Sequence, residues 1–276
     1  MKKKWAGIIM GLVSLCVIAG FSGCGQASSS SGSSTAAAAP QKIVIGTQGM
    51  LAKWTQQSNK TEDGGLEGFD IDVWKEIARR NNMQIEWRAA EFSALWGMLD
   101  NGQIQTIANE TTPNPQRLEK YNFSKPYAYD GYVFVAKKGD TPKTADWFNG
   151  KKICVVAGAN PQLILDKMNQ EKNLGMQVSY LDNTSAVMPA VQNGTYDGAF
   201  TIKSSAWIAI HDLGMNMETV DPGYKTLPIC YPFIKTKEND ALLQVVNKTI
   251  DDMRQDGTLK QISEKWFGDD VSAEPV

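Results

Sequence analysis

The chain has 276 residues, of which 42% are hydrophobic, and its 28 basic and 30 acidic residues give a net charge of −2. This is the composition of an ordinary globular protein with one large or two small domains. The lack of a basic excess argues against nucleic-acid binding. One histidine and four scattered cysteines argue against a metal centre, and no cofactor is expected.

Residues 1–23 are predicted to be a signal peptide. Three lysines precede an apolar run from Trp5 to Phe21, and small residues follow it. The run is near the lower limit for crossing a membrane, so an uncleaved anchor is the alternative. The stretch "FSGC" resembles the lipobox of bacterial lipoproteins, although Phe21 stands where leucine is usual. This resemblance implies that Cys24 is lipidated and becomes the mature N-terminus.

Residues 24–40 form a Ser/Gly/Ala-rich stretch with no pattern that could bury a face. Such a segment is expected to be a flexible linker. Removal of residues 1–23 leaves 25 basic against 30 acidic residues. Cys154 and Cys230 lie in apolar runs, which favours buried free thiols, with a disulfide as the alternative.

The first half of the folded part alternates strands and helices. The pattern predicts strands at 42–46, 84–90 and 104–109, with helices in "GFDIDVWKEIARRNN" and "EFSALWGMLDNG". Asp70 or Asp72 is expected to cap the first of these helices. This β-α-β-α-β order predicts a parallel sheet with crossover helices.

Ligands of such sheets bind beyond the carboxyl ends of the strands, where Gln48, Asn109 and Thr112 fall. A second unit begins with the strand "YVFVAKK" and has a similar rhythm. In it, a strand runs into Asn160 and Pro161, which predicts a helix capped by the asparagine. Two closing helices follow Pro228. The fold class is therefore α/β, with two lobes that share a cleft.

Six stretches together resemble the extracellular solute-binding proteins of family 3, which serve amino-acid ABC importers. They occur in family order over most of residues 42–268: "LEGFDIDVWKEIA", "EFSALWGMLDNGQ", "NPQRLEKYNFSKPYAYDG", "GKKICVVAGAN", "NGTYDGAF" and "DGTLKQISEKWFG". The resemblance implies a periplasmic-binding-protein type II fold, in which each lobe is a mainly parallel sheet flanked by helices. Two hinge strands would join the lobes.

In these terms, lobe 1 comprises 41–130 and 228–268, lobe 2 comprises 131–227, and 269–276 is a tail. The resemblance implies a monomer that captures a small-molecule ligand by cleft closure and delivers it to an ABC transporter permease. The lipid at Cys24 would hold it on the extracytoplasmic face of the cell membrane.

The resemblance also implies ligand-binding residues. Arg117 matches the arginine that binds the ligand α-carboxylate, and a planar guanidinium suits this role because it makes two parallel hydrogen bonds. A surface arginine paired with Glu119 is the alternative. Thr112 matches a hydroxyl residue that shares the carboxylate. Asn160 is placed to attract the same anion, or is only a cap. Pro113 and Pro115 would hold the approach to Arg117 in extended conformations.

Trp54 and Phe92 match aromatic residues that sandwich the ligand, with core packing as the alternative for both. Asn109 and Glu110 complete the expected set. The chain departs from the family at two acids that usually pair the ligand ammonium group. Gln48 and Ile202 occupy those positions.

Two interpretations of this departure stay open: Glu110 supplies the missing negative charge, or the ligand is another small carboxylate or a modified amino acid. The pattern around Arg117 is most similar to the cystine-type subgroup. A different class of function is an enzyme on the same scaffold, a dehydratase acting on a small carboxylate, with Glu110 or Asp130 as general acid. No Ser/His/Asp or Cys/His set supports that alternative.

Overall fold

The computed structural model describes residues 41–59, 62–140, 142, 144–223 and 226–275. The predicted signal peptide 1–23, the lipidation site Cys24 and the linker 24–40 lie outside the described residues. Within the described part, no helix combines the length and apolar character needed to cross a membrane.

The described elements alternate between strands and helices along the chain. The strands are β1 (Gln41–Thr47), β2 (Gln56–Gln57), β3 (Leu66–Glu67), β4 (Met83–Ala89), β5 (Thr106–Ile107), β6 (Tyr121–Phe123), β7 (Ala128–Asp130), β8 (Tyr132–Lys137), β9 (Lys152–Val156), β10 (Gln177–Leu181), β11 (Gly198–Ile202), β12 (Met217–Val220), β13 (Leu227–Ile229) and β14 (Pro232–Ile234). The helices are α1 (Phe69–Arg80), α2 (Phe92–Asp100), α3 (Pro115–Lys120), α4 (Asn160–Glu171), α5 (Val187–Gln192), α6 (Lys203–His211), α7 (Lys237–Gln255) and α8 (Thr258–Phe267).

The first sheet has the order β4-β1-β5 and is parallel throughout. The predicted β-α-β-α-β order is therefore confirmed, with α1 and α2 as the crossover helices. β5 contains only two residues and is shorter than the predicted strand 104–109. Beyond β5 the chain turns into the loop that carries the candidate site residues 109–114.

The second sheet has the order β10-β9-β11-β8-β12. β9 pairs in parallel with β10 and β11, whereas β8 and β12 join by antiparallel pairing. The chain enters this sheet from β7 and leaves it towards β13, and these two strands pair antiparallel, with Leu227 opposite Asp130. Two adjacent strands thus lie at the points where the chain passes between the sheets.

The hydrophobic core falls into three clusters. One packs α1, α7 and α8 around β1 and contains Trp54, Trp74 and Tyr231. A second, around α2 and α5, contains Phe92 and Leu95. The third, around the second sheet and α4, contains Phe134. The apolar helical faces found in the sequence are buried because each covers one side of a sheet.

Both predictions of side-chain helix caps are corrected by the structure. α1 begins after Gly68 without a side-chain cap bond. Asp70 lies inside the helix and accepts a hydrogen bond from the Glu110 main-chain N–H instead (3.0 Å). At α4, Asn160 is the first helical residue and Ala159 takes the cap position without a side-chain bond. In both cases the polar side chain is hydrogen-bonded to a residue outside its own helix instead.

Candidate functional site

A cavity lies where the carboxyl ends of the two sheets face each other. Its free volume of about 30 Å³ accommodates about two water molecules. A ligand of the size of an amino acid therefore requires the walls to move apart. The walls are formed by Leu51, Phe92, Asn109, Glu110, Thr112, Asp130, Tyr132, Val156, Ala159, Asn160, Pro161, Thr184, Phe200, Thr201, Ile202 and Ile229.

Arg117 lies beside this cavity, and its side chain faces the second sheet rather than bulk solvent. It is the third residue of α3, a short helix that begins at Pro115 and is capped by the Asn114 side chain, which accepts the Arg117 N–H at 2.9 Å. The guanidinium donates to the carbonyl of Thr112 at 2.8 Å and to the carbonyl of Gly158 at 2.9 Å. Because Gly158 follows β9, these bonds connect the two sides of the cleft.

The Arg117 guanidinium also packs against two aromatic rings. Its guanidinium carbon lies 4.2 Å from the ring centroid of Trp96 and 5.6 Å from that of Phe92. Such contacts favour a cation over the ring face. Only 8% of the residue is exposed, and burial lowers the pKa of Arg117 to about 10. It therefore remains a cation at neutral pH, and the described residues give it no acidic partner within ion-pair distance.

A chain of polar contacts links the loop after β5 to the second sheet. The Tyr132 hydroxyl donates to Thr112 Oγ1 at 3.2 Å, and Asn160 Nδ2 donates to the Tyr132 hydroxyl at 3.1 Å. Asn114 Nδ2 in turn donates to Asn160 Oδ1 at 3.3 Å. Thr112 and Asn160, selected from sequence on separate grounds, therefore lie in one network.

Asn109 and Gln48 fall at the carboxyl ends of β5 and β1, as predicted. Asn109 Oδ1 accepts the main-chain N–H of Gln48 at 2.8 Å and the hydroxyls of Thr47 and Thr55 at 3.3 Å. Asn109 thus fixes the loop geometry while it lines the cavity. The Gln48 side chain bonds to Glu91 and Thr184, so its amide already has partners on both sides of the cleft.

Glu110 lines the cavity in a strained position. Its φ of 48° lies in the left-handed region, which is unusual for a residue with a side chain. The bond from its N–H to Asp70 holds this conformation. Burial, together with the nearby carboxylates of Asp130 and Asp70, raises the pKa of Glu110 well above its usual range.

Asp130 ends β7 and also lines the cavity. One of its oxygens accepts the Gly131 N–H at 2.6 Å, and the other accepts the Ser204 N–H at 3.3 Å. Burial raises the pKa of Asp130, and its interaction with the Glu110 side chain opposes this rise. The sequence pointed to Asp130 only through the enzyme alternative.

The two aromatic residues of the predicted set lie in different surroundings. Phe92, at the start of α2, contacts both the cavity and Arg117. Trp54 is fully buried, packs edge-on against Phe69, and donates its indole N–H to Ser204 Oγ at 3.0 Å. It is not among the cavity-lining residues, so the geometry favours the core-packing alternative for Trp54.

Sequence reasoning missed two residues of the site. Trp96 stands outside the set expected from the sequence; it packs against the second core cluster and also lies under the Arg117 guanidinium, one helical turn after Phe92 on the same face of α2. Tyr132 opens β8 and had no motif of its own. The only signal for it was its place immediately after the "YAYDG" stretch. Ile202, which stands where the family has an acid, lines the cavity as an apolar wall.

Comparison with known proteins gives a consistent result. The family model of bacterial extracellular solute-binding proteins, family 3, matches residues 43–269. "Probable amino-acid-binding protein YxeM" of Bacillus subtilis is 30% identical over 273 residues, which cover 99% of this chain and 98% of that protein. The L-cystine-binding protein TcyJ of Escherichia coli is 28% identical and covers 83% of this chain and 84% of its own length.

Among solved structures, an ancestral arginine-binding protein bound to arginine superimposes with a TM-score of 0.75 at 28% identity. The match covers 83% of this chain and 100% of that chain. The family match over residues 43–269 includes strands of both sheets and all the cavity-lining residues.

Proposed function

Because the chain belongs to family 3 of the bacterial extracellular solute-binding proteins, it is the substrate-binding component of an ABC importer, and we propose that Arg117 anchors its ligand. The ligand is an amino acid or a related small carboxylate, captured by cleft closure and delivered to a membrane permease. The fold is the two-lobed type II periplasmic-binding-protein fold.

The observation that carries the anchor is the position of the Arg117 guanidinium between Thr112 and Gly158. When the lobes separate, the bond to Gly158 breaks and leaves donors that face the cleft. A ligand carboxylate is a stronger acceptor than a neutral carbonyl, because bonds between charged groups are about twice as strong. The carboxylate would therefore replace the Gly158 carbonyl, and Thr112, Asn160 and Phe92 would complete its surroundings.

We place the lobe boundaries at the paired strands β7 and β13. Lobe 1 is 41–130 with 228–268, and lobe 2 is 131–227. The pairing of Leu227 with Asp130 supports these boundaries. Both proposed boundaries fall at these two residues, where the chain would pass from one lobe to the other. These crossings would serve as the hinge around which the cleft opens.

We further propose that Cys24 carries a lipid that holds the mature protein on the extracytoplasmic face of the membrane as a monomer. The support is the "FSGC" motif after an apolar run, followed by a linker-like stretch. Cys24→Ser should move the protein from the membrane fraction to the medium or periplasm after cell fractionation. Retention in the membrane fraction would favour an uncleaved anchor instead.

The experiment for the anchor is isothermal titration of Arg117→Lys with the twenty standard L-amino acids and L-cystine. Lysine keeps the charge but loses the planar fork. We expect the best binder of the wild type to lose about 1.5–3 kcal/mol, or about 10- to 150-fold in Kd. Arg88→Lys, at an exposed ion pair with Glu86, is the matched control. Unchanged affinity in Arg117→Lys would refute the anchor, and no binding by the wild type would refute an amino-acid ligand.

The enzyme alternative has a direct test. The relatives are named as binding proteins, and binding without turnover predicts that a bound amino acid is recovered unchanged. Purified protein would be incubated with the best binder and followed by mass spectrometry. A dehydrated product, formed by the wild type and absent in Glu110→Gln, would support the dehydratase instead.

A further inference from the structure

The cavity wall contains two acidic residues and no basic residue among those described. The two are Glu110 and Asp130. Only 6% of Glu110 is exposed, and its Oε2 has no hydrogen-bond partner in the described structure. A buried carboxylate oxygen without a partner is costly unless the group is neutralised. This oxygen therefore marks a position where a donor is needed.

After burial, Asp130 is the largest cause of the raised pKa of Glu110. Both side chains line the same cavity, and their interaction raises the pKa of Glu110 and opposes the rise that burial causes in the pKa of Asp130. Two carboxyl groups interact favourably in this way only if one of them carries a proton. Asp130 accepts main-chain N–H groups from Gly131 and Ser204, and these favour its anionic form. The proton therefore resides mainly on Glu110, and the pair titrates as a unit.

Within the described part of the chain, neither Glu110 nor Asp130 forms a salt bridge with a basic residue. Asp70 on α1 adds a third carboxyl group, and Asp130 and Asp70 both raise the pKa of Glu110 further. The titratable neighbours are Tyr127, which directly precedes β7, and Tyr132 of β8. On α6, Lys203 donates its main-chain N–H to the Gly131 carbonyl at 2.8 Å. Arg117 is held elsewhere by Thr112 and Gly158.

We propose that Glu110 and Asp130 together form the cation subsite of the cleft, which binds the ammonium group of the ligand and releases the shared proton to solvent. An ammonium group has three N–H donors, enough to reach one oxygen of each carboxylate. The pair then carries two negative charges beside one positive charge, and one proton leaves for each ligand bound.

This subsite rests on the proposed function and deepens it. Gln48 and Ile202 stand where the family carries its acids, and neither offers a negative charge. Glu110 and Asp130 place the charge on lobe 1 and at the hinge boundary instead. The ligand class is therefore a zwitterion whose carboxylate is bound by Arg117 and whose ammonium group is bound by the carboxylate pair.

The test compares binding with and without an α-amino group as pH changes. The probes are L-arginine, L-glutamine, L-histidine and L-cystine, each beside the same acid without its α-amino group. Isothermal titration is done at pH 5.5, 6.5 and 7.5, in two buffers of different ionisation enthalpy. For the wild type we expect Kd to fall as pH rises, by up to about tenfold per pH unit for one released proton. The acids without the amino group should bind more weakly and without this slope.

Glu110→Gln should abolish the pH slope and weaken binding at pH 7.5 at least about tenfold, the loss of one charge-assisted bond. Asp130→Asn should do the same, whereas Glu119→Gln, an exposed acid on α3, should behave as the wild type. If amino acids bind but both cavity variants keep the wild-type affinity and slope, the subsite is refuted while the proposed function stands.

If neither these four nor the other standard amino acids bind, the amino-acid assignment is refuted, and the proton pair is judged separately. Carbon-13 NMR of the carboxyl groups, assigned by difference with Glu110→Gln, should show Glu110 protonated at pH 6.5. A spectrum in which both carboxyls are ionised at that pH would overturn the inference without reference to any ligand.

Discussion

Asp70→Asn should make the free energy of unfolding fall less steeply as pH rises. Asp70 is fully buried on α1, and burial raises its pKa from 3.8 to about 7. The folded state therefore binds a proton that the unfolded state has lost, so stability falls as pH rises from about 4 to about 7. Asparagine removes this titration but keeps an oxygen that can accept the Glu110 N–H.

The magnitude follows from the two pKa values. At pH 8 the ionisation of Asp70 costs the fold about 4 kcal/mol, of which about 2.6 kcal/mol develops between pH 5 and pH 8. One kcal/mol corresponds to about 2–4 °C in Tm for a chain of this size. The fall in Tm between pH 5 and pH 8 should therefore be about 5–10 °C smaller in the variant than in the wild type. Glu110 and Asp130 also have raised pKa values, so some pH dependence should remain.

The assay is thermal unfolding followed by circular dichroism at half-unit steps from pH 5 to pH 8. Asp182→Asn, an exposed acid after β10, is the control and should follow the wild-type curve. If Asp70→Asn runs parallel to the wild type over the whole interval, Asp70 does not take up a proton in this range. The explanation of its burial would then be wrong.

Two further predictions concern buried side chains. Trp54→Phe should lower the free energy of unfolding by about 1–2 kcal/mol, because it removes a hydrogen bond to Ser204 and some packing. The Kd for the best amino acid should stay within about twofold of the wild-type value. A tenfold loss of affinity would instead make Trp54 a ligand contact. Burial raises the pKa of Cys154 and of Cys230 to about 12, so both free thiols should react with Ellman's reagent only when guanidinium chloride is added. Two fast-reacting thiols in the folded protein would contradict their burial.

The fold was largely predictable because its signals are local. Periodicity placed α1 and α2, and their alternation with strands gave the parallel first sheet. The mixed pairing of β8 and β12 in the second sheet was not predictable in this way, since antiparallel neighbours there are far apart in sequence. The helix caps failed for the same reason: Asp70 and Asn160 have partners 40 and 46 residues away.

The candidate site was predictable only in part. The stretch from Asn109 to Arg117 is continuous, so its residues could be selected from one motif. The Glu110–Asp130 contact and the position of Trp96 under Arg117 depend on how three elements pack, and no spacing rule encodes that. A left-handed Glu110 is likewise a product of tertiary contacts, because local preference disfavours it.

Tyr127 and Tyr231 stack face to face with centroids 4.0 Å apart and planes 6° apart, and both are fully buried. Tyr127 directly precedes β7, and Tyr231 lies two residues after β13. A tightly packed pair of rings resists sliding, so the stack holds the two strands together beside the proposed hinge. If the lobes open about that hinge, bending would be confined to the few residues between this stack and the second sheet.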